Sequence, residues 1–287
     1  MKPAAFDYLR AHSVDDALAA LARAEGDALL LAGGQSLGPM LNLRLVQPAL
    51  LVDIRRIAEL AEVRDAQHAV LIGAAITHAA LEDGRVAGAV GALLRHVAAG
   101  IAYRAIRNRG TIGGSVCHAD PAGDWPTALT LLDATARLVG PSGPREVPLA
   151  QFILGPYGTQ IEPGEMLTAI AVPRLSAQAR WAYCKFCRKP GEFAESIAGI
   201  LVDPERGVQR AVLGATAAAP IVIEDPGFLL DGFDAAAAAG WLAGAGFGEE
   251  GAQADADEET AYARRMHLAV LQRAARQFSL HDAARVA

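Results

Sequence analysis

The feature that most constrains this chain is the stretch Arg107-Asn108-Arg109-Gly110-Thr111-Ile112-Gly113-Gly114-Ser115, which runs on through Val116 and Cys117 to His118-Ala119-Asp120-Pro121-Ala122-Gly123-Asp124. It sets small residues, hydroxyls and a paired glycine between basic residues and carboxylates. Backbone that approaches a phosphate closely calls for glycine, because a Cβ would hold it off. A shorter version, Ala32-Gly33-Gly34-Gln35-Ser36, lies upstream. Two such loops suggest two cradles for one long, doubly phosphorylated ligand. Backbone N–H groups would meet its pyrophosphate, and Ser36, Thr111 and Ser115 would add hydroxyl donors. The competing reading is that each Gly-Gly pair marks a tight turn. Neither loop has the Gly-x-Gly-x-x-Gly of a dinucleotide fold or the Gly-Lys-Ser/Thr of a P-loop.

Four nearby residues carry alternative roles. Arg107 and Arg109 are either phosphate ligands or a structural pair that positions the loop. Asp124 either accepts hydrogen bonds from sugar-type hydroxyls or caps the helix that follows. His118 is a ligand contact or a structural histidine.

The 287 residues suit two domains, or one with subdomains. Apolar residues make up 52% and charged residues 20%, enough for a large core. A net charge of −6 argues against nucleic acid or an anionic membrane surface as the main partner. No apolar run is long enough to span a membrane, and Met1 to Asp7 has no signal-type apolar core. Three cysteines make no disulfide framework, so a reduced cytoplasmic setting is expected. Cys184-Lys185-Phe186-Cys187 has CxxC spacing, but the third cysteine, Cys117, supplies no second pair for zinc or an iron–sulfur cluster, and the cysteines read as packing. The zinc-hydrolase signature His-Glu-x-x-His is missing.

Along the chain, Ser13 is a helix cap, with Val14, Ala17, Leu18 and Leu21 on one helix face ending near Gly26. Ala28–Leu31 and Ala49–Ile54 read as buried strands, and Leu37 to Leu45 as a short helix stopped by Pro48. Residues 1–56 therefore form a small α/β unit with its glycine loop at a strand end. Leu60–Val63 and Ala69–Ile72 read as a hairpin, Thr77 as the cap of a helix through Leu81, and Val86–Ala99 as a buried helix. The glycine stretch follows as a loop over 107–123, then a helix from Asp124 to Leu132, a hairpin over 136–148 and a strand from Met166 to Pro173. The composition shifts at 174–180, where a domain boundary is expected. Beyond it Trp181–Phe186 and Val208–Ala217 read as strands, Ser196–Val202 is ambiguous, and the tail is helical through Leu268, Val270 and Leu271.

Taken together, Ala32-Gly33-Gly34-Gln35-Ser36-Leu37, Arg107 to Ser115, Ala119-Asp120-Pro121-Ala122-Gly123-Asp124 and Gly164-Glu165-Met166-Leu167 resemble the FAD-binding medium subunits of molybdenum hydroxylases, the xanthine dehydrogenase and carbon monoxide dehydrogenase family. Tyr183-Cys184-Lys185-Phe186-Cys187-Arg188 and Glu192-Phe193-Ala194 extend the resemblance almost to full length. It implies an α+β fold: a vanillyl-alcohol-oxidase (PCMH)-type FAD-binding domain over 1–175, made of two α/β subdomains (about 1–56 and 57–175), then a C-terminal domain over 176–287 with a small antiparallel sheet and helices. By the same resemblance Leu31 to Leu37 and Thr111 to Ser115 (Thr111, Ile112, Gly113, Gly114, Ser115) would hold the pyrophosphate and adjoining parts of FAD. Asp124 would bind polar groups of the flavin chain. Ile101, Ile106, His118 and Leu167 would line the pocket, and Lys185 would reach the isoalloxazine. Tyr103 stands where many members carry His, and Glu192 where Asp is common.

The implied role is electron transfer within a heteromeric molybdenum hydroxylase, with no catalytic residue or metal ligand on this chain. The molybdenum cofactor would sit on a large partner subunit and [2Fe-2S] clusters on a small one, in a dimer of heterotrimers. FAD here would pass electrons to NAD, a quinone, a carrier protein or oxygen. The alternatives are a self-sufficient flavoprotein oxidoreductase of the same fold and a scaffold chain that has lost FAD.

Overall fold

A computed structural model of the chain describes residues 2–247 and 254–286. The first unit holds β1 (Asp7–Arg10), α1 (Val14–Arg23), β2 (Ala28–Leu31), α2 (Leu37–Asn42) and β3 (Leu50–Asp53). Its strands form a parallel sheet in the order β1-β3-β2. Ser13 caps α1 as expected, its Oγ accepting from the Asp16 N–H at 3.1 Å. Ala17 and Ala20 of α1 are sealed against Val52 and Ile57 in a small core. The sequence reading lacks β1, and it extends α2 to Leu45. The helix stops at Asn42 because Arg44 turns the chain with φ +59°, well before Pro48.

The second unit begins with a 3-10 turn at Ala58–Ala61, so the expected hairpin starts later, as β4 (Val63–Asp65) and β5 (Ala69–Gly73). Five helices follow: α3 (His78–Glu82), α4 (Gly88–Ala99), α5 (Arg104–Arg107), α6 (Ile112–His118) and α7 (Asp124–Leu131). Then come β6 (Thr135–Gly140), β7 (Gly143–Pro148), α8 (Leu149–Phe152), the short pair β8 (Ile153–Gly155) and β9 (Gly158–Thr159), and β10 (Met166–Pro173). Strands β4-β5-β10-β6-β7 make one antiparallel sheet. Thr77 caps α3 through Oγ1, and α4 buries Val90, Leu93, Leu94 and Val97. The stretch 107–123 is not the loop expected. Its glycine pair lies in the first turn of α6, with Thr111 as cap.

The last unit is an antiparallel sheet, β11 (Arg180–Phe186), β12 (Ser196–Asp203), β13 (Val208–Gly214) and β14 (Ile221–Ile223), with α9 (Gly227–Leu230), α10 (Ala235–Leu242) and α11 (Ala254–Val286). Strand residues alternate between faces. Tyr183, Ile197, Leu201 and Val212 join the large core with α4 and α7. Ala182, Ala198, Ile200 and Leu213 join a second core with Leu242, Val270, Leu271 and Phe278 of the helices. The sheet is thus a middle layer covered on both sides.

Candidate functional site

The upstream glycine loop leaves the carboxyl end of β2 and enters α2. Gly34 takes φ +73°, a conformation that favours glycine. The backbone N–H groups of five consecutive residues, Gly33 to Leu37, donate to no acceptor among the described residues. Buried or half-buried amides are nearly always paired. Five adjacent unpaired donors on a half-buried loop therefore form an array suited to anionic oxygens. Ser36 makes no capping bond, so its hydroxyl is available as well.

The downstream stretch behaves differently, and the expectation of two equivalent cradles is corrected. The Ile112 N–H donates to Ile76 O at 2.9 Å and that of Gly113 to Ala74 O at 3.0 Å. Gly114 N–H donates to Thr111 Oγ1 at 3.1 Å and Ser115 N–H to Thr111 O at 3.0 Å. These four amides are spent inside the protein. Gly113 is glycine for packing: a Cβ there would fall 2.6 Å from Ala74. Ile112 and Leu167 are sealed in the large core, so their side chains offer no surface to a ligand. Strand β10, which packs Met166 and Leu167 into different cores, and the first turn of α6 put them there.

The two glycine stretches nevertheless touch. A Cβ on Gly33 would lie 2.2 Å from Arg109 O and 2.7 Å from Gly110 Cα, and one on Gly114 would lie 3.7 Å from Ala32 Cβ. Arg109 and Gly110, with Gly114 beyond them, thus stand as a wall behind the cradle of Ala32 to Leu37. Behind Gly110 sits the buried His78, whose Nδ1 accepts from Trp125 Nε1 at 3.0 Å. Burial, with Arg107 nearby, lowers the His78 pKa to about 4, so the ring is neutral.

At the far end of α6 a second cluster forms. Asp124 is expected as a helix cap, but the cap position falls on Gly123 and makes no side-chain bond. The Asp124 carboxylate instead pairs with Lys185 Nζ at 2.8 Å, and Tyr183 Oη donates to Asp124 O at 3.2 Å. Lys185 also donates to Gly100 O at 3.3 Å. Burial pushes the Asp124 carboxyl up, against the pull of Lys185. Ile101 and Ile106 are half-buried beside this cluster in sequence, and His118 is half-buried with its ring 5.2 Å from that of Tyr157. Helix α6, seven residues long, spans about 10 Å of helix rise from Ile112 to His118.

Arg107 faces inward. It grips Glu82 through two hydrogen bonds of 2.8 and 2.9 Å and donates to the carbonyls of Ile101 and Ala102. These bonds fit the loop-positioning alternative for Arg107. Arg109 is exposed, and its carbonyl is the part that meets Gly33. The sequence reading gives a site role to neither Glu82 nor Tyr183. Tyr183 had a signal: it lies two residues from Lys185 in a strand, hence on the same face. Asp53 is a further buried carboxylate at the end of β3. Burial pushes it up, but hydrogen bonds from Arg55 and Tyr8 outweigh that and hold it well below the usual carboxylate range.

Residues 4–175 match the family model described as the FAD binding domain in molybdopterin dehydrogenase. The chain is 40% identical over 236 residues to the 6-hydroxypseudooxynicotine dehydrogenase complex subunit alpha of Paenarthrobacter nicotinovorans, covering 80% of each. It is 39% identical over 235 residues to the carbon monoxide dehydrogenase medium chain of Afipia carboxidovorans, covering 81% of this chain and 82% of that one. Among solved structures, it is similar to a chain of the carbon monoxide dehydrogenase from Hydrogenophaga pseudoflava that lacks the Mo-pyranopterin moiety of the molybdenum cofactor. That match has a TM-score of 0.86 and 34% identity, covering 98% of this chain and 99% of that one.

Proposed function

The chain belongs to the family of FAD-binding domains of molybdopterin dehydrogenases, and from that premise we propose that it is the FAD subunit of a heteromeric molybdenum hydroxylase. The observation that carries this reading is the run of five unpartnered amides from Gly33 to Leu37, backed by a wall so close that Gly33 admits no Cβ. Those amides suit the pyrophosphate of FAD, and Ser36, Thr111 and Ser115 add hydroxyls. Asp124, held by Lys185 and Tyr183, serves the polar chain next to the ring. Ile101, Ile106 and His118 flank it, while Ile112 and Leu167, sealed in the core, are not proposed as contacts. Bound FAD supplies one- and two-electron redox chemistry. The Lys185 ammonium, fixed between Asp124 and Gly100, is the cation available to favour the reduced, anionic ring.

The chain's task is to hold the flavin through which electrons leave the [2Fe-2S] clusters of a small partner subunit. The molybdenum cofactor and the substrate belong to a large partner subunit, in a dimer of heterotrimers. The acceptor is external: NAD, a quinone, a carrier protein or oxygen. The names of the two relatives above, a dehydrogenase complex subunit and a medium chain, support a heteromeric assembly. No helix among the described residues is long and apolar enough to cross a membrane, and a cytoplasmic complex is proposed. The FAD-binding domain is proposed to end between Pro173 and Arg180, with the β11–β14 sheet and its helices as the C-terminal domain.

The test is flavin binding by the purified chain. Protein incubated with FAD and desalted is expected to keep a yellow, stoichiometric flavin spectrum. A colourless, correctly folded protein after that treatment refutes the reading.

A further inference from the structure

The connection between α4 and α5 holds a residue in an unusual conformation. Ala102 takes φ +42°, which a side chain with a Cβ rarely adopts. Three contacts pin it. Arg107 Nη1 donates to Ile101 O at 2.8 Å and to Ala102 O at 2.9 Å. Gly191, at φ +86°, presses on the other side so closely that a Cβ would lie 2.9 Å from Ala102 O. Arg107 is itself held by both oxygens of Glu82 and is nearly buried. Two residues before Ala102, the Gly100 carbonyl accepts from Lys185, whose other partner is Asp124.

We infer that Arg107 is a positioning residue for the flavin: by clamping the strained Ile101–Ala102 kink it fixes the Gly100 carbonyl, and through it the place of the Lys185 ammonium between Gly100 and Asp124. This rests on the reading that FAD occupies this site. A strained turn relaxes when its clamp is removed, and the carbonyl two residues away moves with it. Lys185 then has Asp124 as its one fixed partner and is drawn toward that carboxylate. A cation displaced from the ring stabilises the reduced anion less. Glu82 is the anchor that sets the Arg107 fork. Arg104 shares Glu82 but touches neither the Ile101 nor the Ala102 carbonyl, so it supplies a control.

The experiment compares the full chain loaded with FAD as wild type, Arg107→Met, Arg107→Lys and Arg104→Met. The flavin-to-protein ratio and the midpoint potential of the bound flavin, titrated against redox dyes, are the readouts. Arg107→Met is expected to shift the potential to more negative values, Arg107→Lys to shift it less, and Arg104→Met to leave it at the wild-type value. Adding Ala102→Gly to Arg107→Met is expected to restore part of the shift, because glycine takes the kink without strain. If Arg107→Met fails to fold, Glu82→Gln decides, with a smaller shift of the same sign expected. An unmoved potential in Arg107→Met, or in Glu82→Gln should that variant be needed, overturns the inference. So does an equal shift in Arg104→Met. Wild-type chain that takes up no FAD refutes the site reading instead, so the two failures are distinguishable.

Discussion

Substituting Gly33→Ala adds one methyl group at the place where the cradle meets its wall. The new Cβ would stand 2.2 Å from Arg109 O, 2.7 Å from Gly110 Cα and 2.8 Å from Arg109 C, all of them backbone atoms. Separations under 3.0 Å are essentially never seen, so the two segments must part by at least 0.8 Å (3.0 − 2.2). No rotamer change can absorb this. Overpacking of this kind costs about 1–3 kcal/mol, or roughly 2–12 °C in Tm at about 2–4 °C per kcal/mol. The opening also misaims the N–H groups of Gly33 and its neighbours. Losing one hydrogen bond to a charged group, about 1.5–3 kcal/mol, weakens FAD binding by about 10- to 100-fold. Gly38→Ala is the matched control: nothing lies within 4 Å of its Cβ, and it sits inside α2, where alanine is the better helix former. Thermal unfolding and flavin retention after desalting, measured on both variants, test the argument. Gly33→Ala with wild-type Tm and wild-type flavin content would refute it.

Other outcomes follow from the same geometry. Asp124→Asn strands the Lys185 ammonium in a mostly buried site and is expected to cost about 3–5 kcal/mol. In a urea double-mutant cycle, adding Lys185→Met should cost less than the sum of the single changes. Neutral, buried His78 sets a pH dependence. Its pKa is 6.5 unfolded and about 4 folded, so the unfolded chain binds the extra proton between those values. Stability is fully present above pH 6.5 and falls as pH drops toward 4, by about 3 kcal/mol from a gap of 2.5 (6.5 − 4) at 1.36 kcal/mol per unit. Urea midpoints at pH 7, 5.5 and 4.5 should show that slope, flattened in His78→Gln; His267, also buried and lowered to about 4, adds to it. Gly214→Ala would place a Cβ 1.9 Å from Thr127 Oγ1, between β13 and α7, and should lower Tm by several degrees while the cradle stays intact.

Where the sequence was legible, local chemistry and tertiary packing agreed. The Ser13 and Thr77 caps, the alternation of β11 and the hairpin over 136–148 are readable because each is decided by neighbours a few residues away. Strand β12 is buried at every position, between two cores, so it shows no alternation and reads ambiguously. Strand β1 is four mostly exposed residues, made a strand by pairing with β3 some forty positions on. The glycine pair at 113–114 looks like a loop because the reason for glycine is contact with Ala74 from a different element. The same holds at the site. The residue types of a phosphate cradle are visible in the sequence, but which loop keeps its amides free depends on Ala74 and Ile76, and the partners of Arg107 and Asp124 lie far along the chain.

The doubly covered sheet also has a consequence during synthesis. One face of β11–β14 can dock at once on α4 and α7, which are made earlier. The other face, with Ala198, Ile200 and Leu213, must wait for Val270 and Phe278 of α11. From Ile223, the end of β14, to Val270 the ribosome adds 47 residues (270 − 223), about 2–9 s at roughly 5–20 residues per second. For that interval a finished sheet shows an oily surface to the cell. A chaperone that binds exposed aliphatic strands would find its target there, and a chain cut short before α11 would keep it permanently on display.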